Sequence, residues 1–520
     1  MFGINFIKVQ VLIGLGQYKI ALEISTDCLK KGKILYKSHP FIAECYSVCG
    51  VANQFLGVPR SAQKYFEESS EMRKKFFSLQ NVENAENSEE EKIGNIGNTC
   101  SHILVCESTV ELGMNAIARG MFFEAYPLLE CSVKLYEELL LNLNISSHIE
   151  HEYCKMNFSL INLLLGKYNI AKLLINNCIN DITEINSTIN DGNEHIYLSD
   201  CLYYKGLYLQ NVGDYFDSIE ILKKSKQILV KIVGAKHPLN SRLTLAESIS
   251  YRYPGQFEKS ASLLHTALQQ VTELYGENNL FVGFVLYNRA TLLRDSGDID
   301  EAGRLYPTAL KILKDTLGSK NAYVSQIMGD IGECLRLEGK DSDAILFLEK
   351  SRVLMSKNYS QKHYLYCEVW LSQALQLINN NNDEKICEEG LNILKNQILP
   401  CLESHFNQMH PMIMYVQGCI GKAMNNIANI KHKSGNSNLN STQQKSSKSN
   451  KSKKSRSGKS IRSNNSSKHS ENENIADEKG QSMIDSSLEY FANYPLTPFG
   501  DTHPWVLELG GWGNTRDIEN

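Results

Sequence analysis

Residues 286–318 read LYNRATLLRDSGDIDEAGRLYPTALKILKDTLG, and this stretch decides the fold. Gly297 separates two segments that each carry apolar residues at helical spacing. In the second segment, Lys, Arg and Asp fill the gaps between Ala302, Leu305, Ala309, Leu310, Ile312, Leu313 and Leu317. Glycine accepts a positive φ without strain, so Gly297 is predicted to close a tight turn between two helices.

The same unit recurs every 42 residues, with turn glycines at Gly213, Gly255, Gly297 and Gly339. A Ser or Ala stands five residues after each glycine, where a small side chain lets the second helix approach the first. A second loop follows 21 residues after each turn and reads GAKHP, GENN, GSKN and SQKH in successive units. A fixed period of this length is typical of repeat architectures.

Looser copies of the unit extend in both directions. The upstream turn glycines are Gly16, Gly57, Gly120 and Gly166. Another small residue lies seven positions before several of the turns, at Gly50, Gly113, Gly206, Ala290 and Gly332. Proline is scarce, at 11 of 520 residues, which favours helix throughout. The sequence therefore predicts an all-α, right-handed superhelical solenoid of about ten helix-turn-helix repeats, with a disordered basic insertion near the C-terminus.

These motifs resemble the tetratricopeptide family, and the 42-residue period with its G-x-x-H-P or G-x-x-N loop resembles the kinesin-light-chain subtype. The resemblance covers most of residues 1–428 and is strongest in 200–360. It implies a protein-interaction scaffold. Kinesin light chains also carry a heptad coiled coil before the repeats, which binds the motor heavy chain; the chain begins directly inside a repeat and shows no such heptads.

The predicted organisation has five parts. N-terminal repeats (1–77) precede an acidic, Asn-rich loop insertion (78–100) and the main solenoid (101–428). A Ser/Lys-rich insertion (429–479) then interrupts the last repeat, whose second helix and C-terminal cap form residues 480–520. The 21-residue spacing from Gly480 to Gly500 places the turn glycine of this repeat at Gly480.

The basic insertion dominates the charge distribution. The chain has a net charge of −4, yet residues 434–470 contain nine Lys or Arg and no acidic residue, so the remainder is distinctly acidic. Such a tract cannot bury a core and is first interpreted as a solvated, disordered loop. The alternatives are nuclear import through 445–462, a phosphorylation site or a weak polyanion contact, centred on Lys453, Lys454, Ser455 and Arg456. No aromatic residues interleave the basic ones, so nucleic-acid binding by base stacking is unsupported.

The sequence offers no recognisable chemistry. The fourteen cysteines are scattered without a C-x-x-C, and no histidine pair has metal-ligand spacing beside a cysteine pair. We interpret the cysteines as buried, reduced thiols that fill small packing positions. The prediction is a non-enzymatic protein with no catalytic residues, no cofactor and no metal.

A row of arginines marks the predicted partner site. Arg252, Arg294 and Arg336 stand three residues before successive turn glycines, a place that faces the concave groove in the family that the sequence resembles. Asn288 matches an asparagine that such repeats use to hold a peptide backbone, and Tyr287 would add an apolar contact. These residues predict a protein or peptide partner with an acidic segment. Three solvated surface arginines are the alternative.

The leading functional prediction is an adaptor that holds a partner segment in its groove, linked to cargo or microtubule transport by resemblance. The alternative is a structural subunit of a ciliary, cytoskeletal or other fixed assembly. No window approaches the ~18 apolar residues of a membrane span. We therefore expect a cytoplasmic location, with cytoskeletal association as one option and nuclear import as another.

Overall fold

The computed structural model describes residues 2–36, 39–86, 102–145, 147–189, 194–360, 363–379, 383–406, 408, 410–446, 465–492 and 509. Every regular element in these ranges is a helix, and the helices follow one another in pairs. By contacts the chain divides into two compact units. Unit 1 comprises Met1–Arg294, Asp298–Ile331 and Glu349–His363, and unit 2 comprises Asp295–Gly297, Gly332–Leu348 and Tyr364–Asn520.

Each pair consists of a first and a second helix joined by a short turn. The first helices are α1 (Phe2–Gly14), α3 (Pro40–Phe55), α5 (Ile103–Ala118), α7 (Ile149–Leu164), α9 (Ile196–Asn211), α11 (Leu239–Arg252), α13 (Leu280–Asp295), α15 (Ala322–Leu337), α17 (Tyr364–Asn379) and α20 (Pro411–Ser446). The second helices are α2 (Tyr18–Leu35), α4 (Pro59–Glu86), α6 (Phe122–Leu143), α8 (Tyr168–Ile189), α10 (Tyr215–Val233), α12 (Phe257–Tyr275), α14 (Ile299–Leu317), α16 (Asp341–Asn358), α18 (Glu384–Ile393) and α21 (Asn465–Ala492). A π-helical segment (Leu394–Ile398) joins α18 to α19 (Leu399–His405).

The glycine and alanine positions of the repeat behave as the sequence predicts. All eight turn glycines have a positive φ, between 67° and 93°. The residues five positions later are fully buried: Ala21, Ala62, Ala125, Ala171, Ser218, Ser260, Ala302 and Ala344. A Cβ built at Gly206 would lie 2.6 Å from the Leu222 side chain, so the two helices of a pair touch where the small residue stands. The helix-pair solenoid is confirmed.

Histidine or asparagine caps most first helices. The Nδ1 atom of His39, for example, accepts from the Phe41 N–H at 3.1 Å, and His102, His148 and His195 cap α5, α7 and α9 in the same way. Such caps satisfy one of the N–H groups that a helix start leaves without an intrahelical partner. In the later repeats of unit 1 the cap stands in the G-x-x-H or G-x-x-N loop, as in Asn279 and Asn321.

Three of these later loop residues also bridge to repeats about 200 positions earlier. Asn279 Nδ2 donates to the Leu56 carbonyl at 2.8 Å, Asn321 Nδ2 donates to the Arg119 carbonyl, and His363 Nε2 lies 3.1 Å from the Leu164 carbonyl. The acceptors are the first-helix C-termini of the second, third and fourth repeats. We call this set the bridge row. It makes distant repeats of unit 1 direct neighbours.

Apolar and polar contacts surround the bridge row. A Cβ at Gly16 would lie 2.5 Å from the Pro238 ring, so this turn packs tightly on the loop before α11. Arg60 Nη2 donates to the Leu317 carbonyl at 2.9 Å. Phe122 meets the rings of Tyr323 and Tyr359, with centroids 5.8 and 5.4 Å apart. Unit 1 therefore folds back on itself.

The last repeat differs from its prediction. Helix α20 continues to Ser446 and α21 begins at Asn465, so parts of the segment predicted to be a disordered insertion are helical. Gly480 was predicted to close the turn, but it lies inside α21. Gly480 lets α21 approach α20 closely, because a Cβ there would lie 2.8 Å from the Gly421 carbonyl oxygen of α20. It does not serve to provide a positive φ. Similarly, α4 runs to Glu86, into the predicted acidic insertion.

Candidate binding groove

The first helices of neighbouring repeats contact one another in unit 1, from α1 with α3 through to α9 with α11. They form a continuous layer, which in helical-pair solenoids is the inner one. A cavity of about 260 Å³ opens among α3, α5, α7 and α9. We call it the groove cavity. Its lining is Val51, Gln54, Phe55, Phe66, Glu107, Val110, Glu111, Met114, Tyr136, Glu150, Tyr153, Cys154 and Tyr197.

The groove cavity is acidic. Glu107 and Glu111 lie one turn apart on α5, and Glu150 lies in the first turn of α7. The only cation paired with these acids among the described residues is Arg73, whose side chain is 1% exposed. Arg73 is shared, since its Nη2 lies 2.9 Å from Glu44 Oε2 and its Nη1 lies 3.6 Å from Glu111 Oε2. Among the described residues, the carboxyl groups therefore outnumber the paired cations at this site.

Burial makes two of these carboxyl groups weaker acids than usual. It raises the pKa of Glu107 to about 7, although Arg73 opposes the shift. It also raises the pKa of Glu111 to about 7, against the opposing effects of Arg73 and of a hydrogen bond from Ser47. A cationic group in the cavity would favour the ionised forms, so its binding would release protons near neutral pH.

Tyrosines form the other polar part of the lining. The rings of Tyr153 and Tyr197 stack with centroids 4.8 Å apart and an interplanar angle of 25°. Tyr197 donates its hydroxyl hydrogen to Glu150, with oxygens 3.2 and 3.3 Å away. The site thus combines carboxylates with aromatic faces, and both attract a guanidinium or ammonium group.

The predicted arginines occupy equivalent places in the last turns of α11, α13 and α15, and the structure gives each an internal contact. Arg294 Nη1 lies 2.5 Å from Asp330 Oδ1. Arg336 forms two hydrogen bonds to Glu333, at 2.9 and 2.8 Å. The Arg252 guanidinium lies over the Tyr253 ring, 4.6 Å from its centroid. Two of them are not solvated surface arginines: Arg252 and Arg336 are only 7% and 8% exposed, because acidic and aromatic neighbours cover them.

The structure brings Tyr287 and Arg294 together on one carboxylate. Tyr287 donates its hydroxyl hydrogen to Asp330 Oδ2 at 2.6 Å, and Arg294 binds the other oxygen. Asn288, in contrast, donates to the Phe284 carbonyl of its own helix. Asp330 lies 42 residues after Asn288, at the equivalent position of the next repeat, and the sequence analysis did not pair it with Arg294. Its offset of 36 residues from Arg294 is less than one repeat, so a search for equal positions cannot pair them.

The acidic cavity was also missed, although a signal was present. Helix α5 reads ILVCESTVELGMNAIA, in which Glu107 and Glu111 are the only charged residues and share one face. Two carboxylates four apart on an otherwise uncharged inner helix indicate a polar site. Glu150 carries no such mark in sequence.

The remaining predictions fall in two groups. The localisation segment at Lys453, Lys454, Ser455 and Arg456 lies outside the described residues. Within the described part of the chain, no cluster of three His, Cys, Asp or Glu side chains could hold a metal ion. No helix among those same residues has the length and apolar character needed to cross a membrane.

Comparisons with known proteins give one family. The sequence model described as "Tetratricopeptide repeat" matches residues 281–355. No curated protein matches the chain.

Among solved structures, a Rap protein complexed with competence and sporulation factor is 10% identical, covers 87% of this chain and 100% of its own, and has a TM-score of 0.47. BtubC (BKLC) from P. vanneervenii is 14% identical over 45% of this chain and 91% of its own, with a TM-score of 0.34. A putative kinesin light chain of Podosopora anserina with nearly identical repeats is 16% identical over 41% and 96%, with a TM-score of 0.30.

The family match spans α13 to α16, where the 42-residue period is clearest. The same turn geometry recurs in the repeats on either side. Residues 281–355 therefore match the tetratricopeptide repeat family, and the helix pairs on either side share their turn geometry.

Proposed function

We propose that the chain is a non-enzymatic scaffold that binds a segment of a partner protein along the first helices of unit 1. One observation carries the proposal: the groove cavity of about 260 Å³ lies among four adjacent first helices and contains more carboxyl groups than the one arginine paired there, Arg73. The match of residues 281–355 to the tetratricopeptide repeat family supports the same role, because such repeats form extended concave binding surfaces.

The chemistry of the cavity favours a segment with Lys or Arg. Glu107 and Glu150 would accept charge-assisted hydrogen bonds, each worth about 1.5–3 kcal/mol when shielded from water. The stacked rings of Tyr153 and Tyr197 would hold an aliphatic stem or a guanidinium plane beside them. Acidic residues inside the groove would also repel segments of the wrong charge, which gives selectivity.

The arginine row remains a second proposal for an acidic segment. An acidic segment at Arg294 would have to replace Asp330, and one at Arg336 would have to replace Glu333, since these carboxylates already bind the guanidinium groups. Tyr287 would lose its acceptor in the same exchange. The two proposals differ in the charge of the ligand and in its place along the first helices.

Peptide titration separates them. Fluorescence anisotropy would compare three labelled peptides of equal length, rich in Lys, in Glu or in neutral residues, at low and high salt. We expect the Lys-rich peptide to bind, and Glu107→Gln with Glu111→Gln to weaken it about 10-fold or more. The matched variant Arg294→Gln with Arg336→Gln should leave this binding unchanged.

Other outcomes decide against the first proposal. Binding of the Glu-rich peptide, lost only in the arginine variant, would support the arginine row instead. Equal binding of all three peptides by all variants would contradict both sites. Circular dichroism of each variant guards against loss of fold.

Two wider predictions concern cellular role. The adaptor proposal, with its link to cargo or microtubule transport, requires a protein that is soluble alone and exchanges partners. The alternative, a structural subunit of a ciliary, cytoskeletal or other fixed assembly, requires neighbours for stability. Affinity purification from native cells with quantification of partner stoichiometry distinguishes them: fixed ratios contradict the adaptor.

A further inference from the structure

Two cysteine side chains meet in unit 2. Cys367 lies in α17 and Cys401 in α19, and these helices pack against each other. The two thiols are hydrogen-bonded to one another. Cys367 is 2% exposed, whereas Cys401 is only partly buried. One residue of the pair is therefore partly exposed and the other is buried.

A histidine completes this cluster. His405 is the last residue of α19, one helical turn after Cys401, and its ring hydrogen-bonds the Cys401 side chain. Its Nδ1 also lies 2.8 Å from the Cys401 carbonyl oxygen and 3.0 Å from Ser404 Oγ. The contact with the Cys401 side chain raises the pKa of His405, which favours the imidazolium. A positive group beside a cysteine sulfur stabilises the thiolate, the form that reacts.

A second thiol pair provides an internal contrast. Cys178 and Cys201 are also hydrogen-bonded to each other, but both are 0% exposed. The other groups acting on Cys201 are the carboxylates of Asp200 and Glu152, which disfavour a thiolate. Proximity of two sulfurs is thus common to both pairs, while accessibility and an adjacent imidazole distinguish the pair in unit 2.

We propose that Cys401 is a peroxide-reactive thiol and that Cys367 resolves its oxidised form into a disulfide between α17 and α19. The Cys401 thiolate attacks one oxygen of hydrogen peroxide; the O–O bond breaks, giving a sulfenic acid and hydroxide. The Cys367 sulfur then attacks the Cys401 sulfur, the S–O bond breaks, and the Cys367 proton leaves with the hydroxyl group as water. Two thiols and one peroxide yield one disulfide and two waters, with sulfur oxidised and peroxide oxygen reduced.

The order of the two sulfurs follows from their surroundings. The hydrogen bond with Cys401, followed by burial, raises the pKa of Cys367, which favours the thiol form of this residue. Cys401 is also the less buried residue of the two. The resulting disulfide would pin α17 to α19, and a dithiol reductant would release it.

The test oxidises the full-length reduced chain with hydrogen peroxide, alkylates the remaining thiols and maps cysteines by mass spectrometry over time. We expect a Cys367–Cys401 disulfide, with Cys178 and Cys201 still reduced. Cys401 should react faster than Cys131, the exposed cysteine of α6, although Cys131 is more accessible. Cys367→Ser should instead accumulate Cys401 sulfenic acid, trapped with dimedone.

His405→Gln should slow Cys401 oxidation about tenfold, because an ordinary thiol near pH 7 is only slightly ionised. The matched control Cys178→Ser should leave the rate unchanged. The proposal is overturned if Cys401 stays reduced, if it reacts no faster than Cys131, or if Cys178–Cys201 oxidises at the same rate. An unchanged rate in His405→Gln would overturn the role of the histidine.

Discussion

The helix caps of the first repeats differ from those of the later repeats of unit 1. His102 and His195 cap their own helices, and their described polar contacts end there. Asn279 and Asn321 cap in the same way with Oδ1, but their Nδ2 groups reach carbonyls of much earlier repeats. A capping side chain has two polar atoms. Only in the later repeats does the second polar atom form a hydrogen bond with a distant part of the chain.

This difference changes the thermodynamics expected of the protein. Solenoids are usually described as sums of repeats and nearest-neighbour interfaces, because each repeat contacts only its neighbours. In unit 1 the bridge row couples repeats 2–4 to the loop residues Asn279, Asn321 and His363. We therefore expect unit 1 to unfold as one cooperative body, with stability that depends on both ends.

The largest effect should come from breaking two bridges together. The double variant Asn279→Asp, Asn321→Asp keeps a good capping oxygen at each site. It replaces each Nδ2 donor by a carboxylate oxygen that faces the backbone carbonyl of the earlier repeat. Each lost hydrogen bond with an unsatisfied partner costs about 1–3 kcal/mol, so the pair should lower the free energy of unfolding by about 2–6 kcal/mol. Urea unfolding measures this change in the free energy of unfolding. The control His39→Asp, at a cap without a bridge, should change stability by less than ~0.5 kcal/mol.

A smaller effect should follow from crowding a single bridge. Gly57 and Gly339 both have φ of +74°, so alanine is equally strained at either site. A Cβ at Gly57 would lie 2.8 Å from Asn279 Oδ1, whereas at Gly339 nothing lies within 4 Å. Gly339→Ala should cost about 1–2 kcal/mol. Gly57→Ala should cost about 1–3 kcal/mol more; equal costs in urea unfolding would argue that the bridge is energetically unimportant.

The smallest effect concerns pH at the edge of the bridge row. His237 occupies the loop position of Asn279 one repeat earlier, and burial lowers its pKa, with a smaller opposing effect from the Gly14 backbone. A lowered pKa in the folded state means that the unfolded chain binds the proton more readily, so stability falls as pH drops below the ordinary histidine value. His237→Asn should reduce the slope of unfolding free energy between pH 7 and 5. An unchanged slope would place the acid sensitivity elsewhere.

Much of the fold follows from sequence because its signals are local. Contacts within one helix pair are indicated by the turn glycines, by the small residues five positions later and by Gly206. These signals recur with the 42-residue period. The G-x-x-H and G-x-x-N loops were recognised as family features, but the bridges they form join residues about 200 positions apart. Local periodicity does not indicate how many repeats separate two parts of a solenoid that contact each other.

The site was less predictable for a related reason. Periodicity predicted that Arg294 and Arg336 occupy equivalent positions in their repeats, and they do. The carboxylates that pair with them, however, lie at sequence offsets that are not multiples of the repeat length. Asp330 and Glu333 occupy such offsets and cover the guanidinium groups. The groove cavity lies in repeats 2–5, where the period is looser and equivalent positions are harder to align.

The central claim is that the first helices of unit 1 form the partner-binding surface. Site-specific photo-cross-linking tests it most directly, with the reactive group at Met114, in the groove cavity, or at Leu173, a 63% exposed residue of the second helix α8. In native cells, we expect the main partner to be captured from Met114 and not from Leu173. Capture from Leu173 alone would contradict it and move the interaction to the second helices.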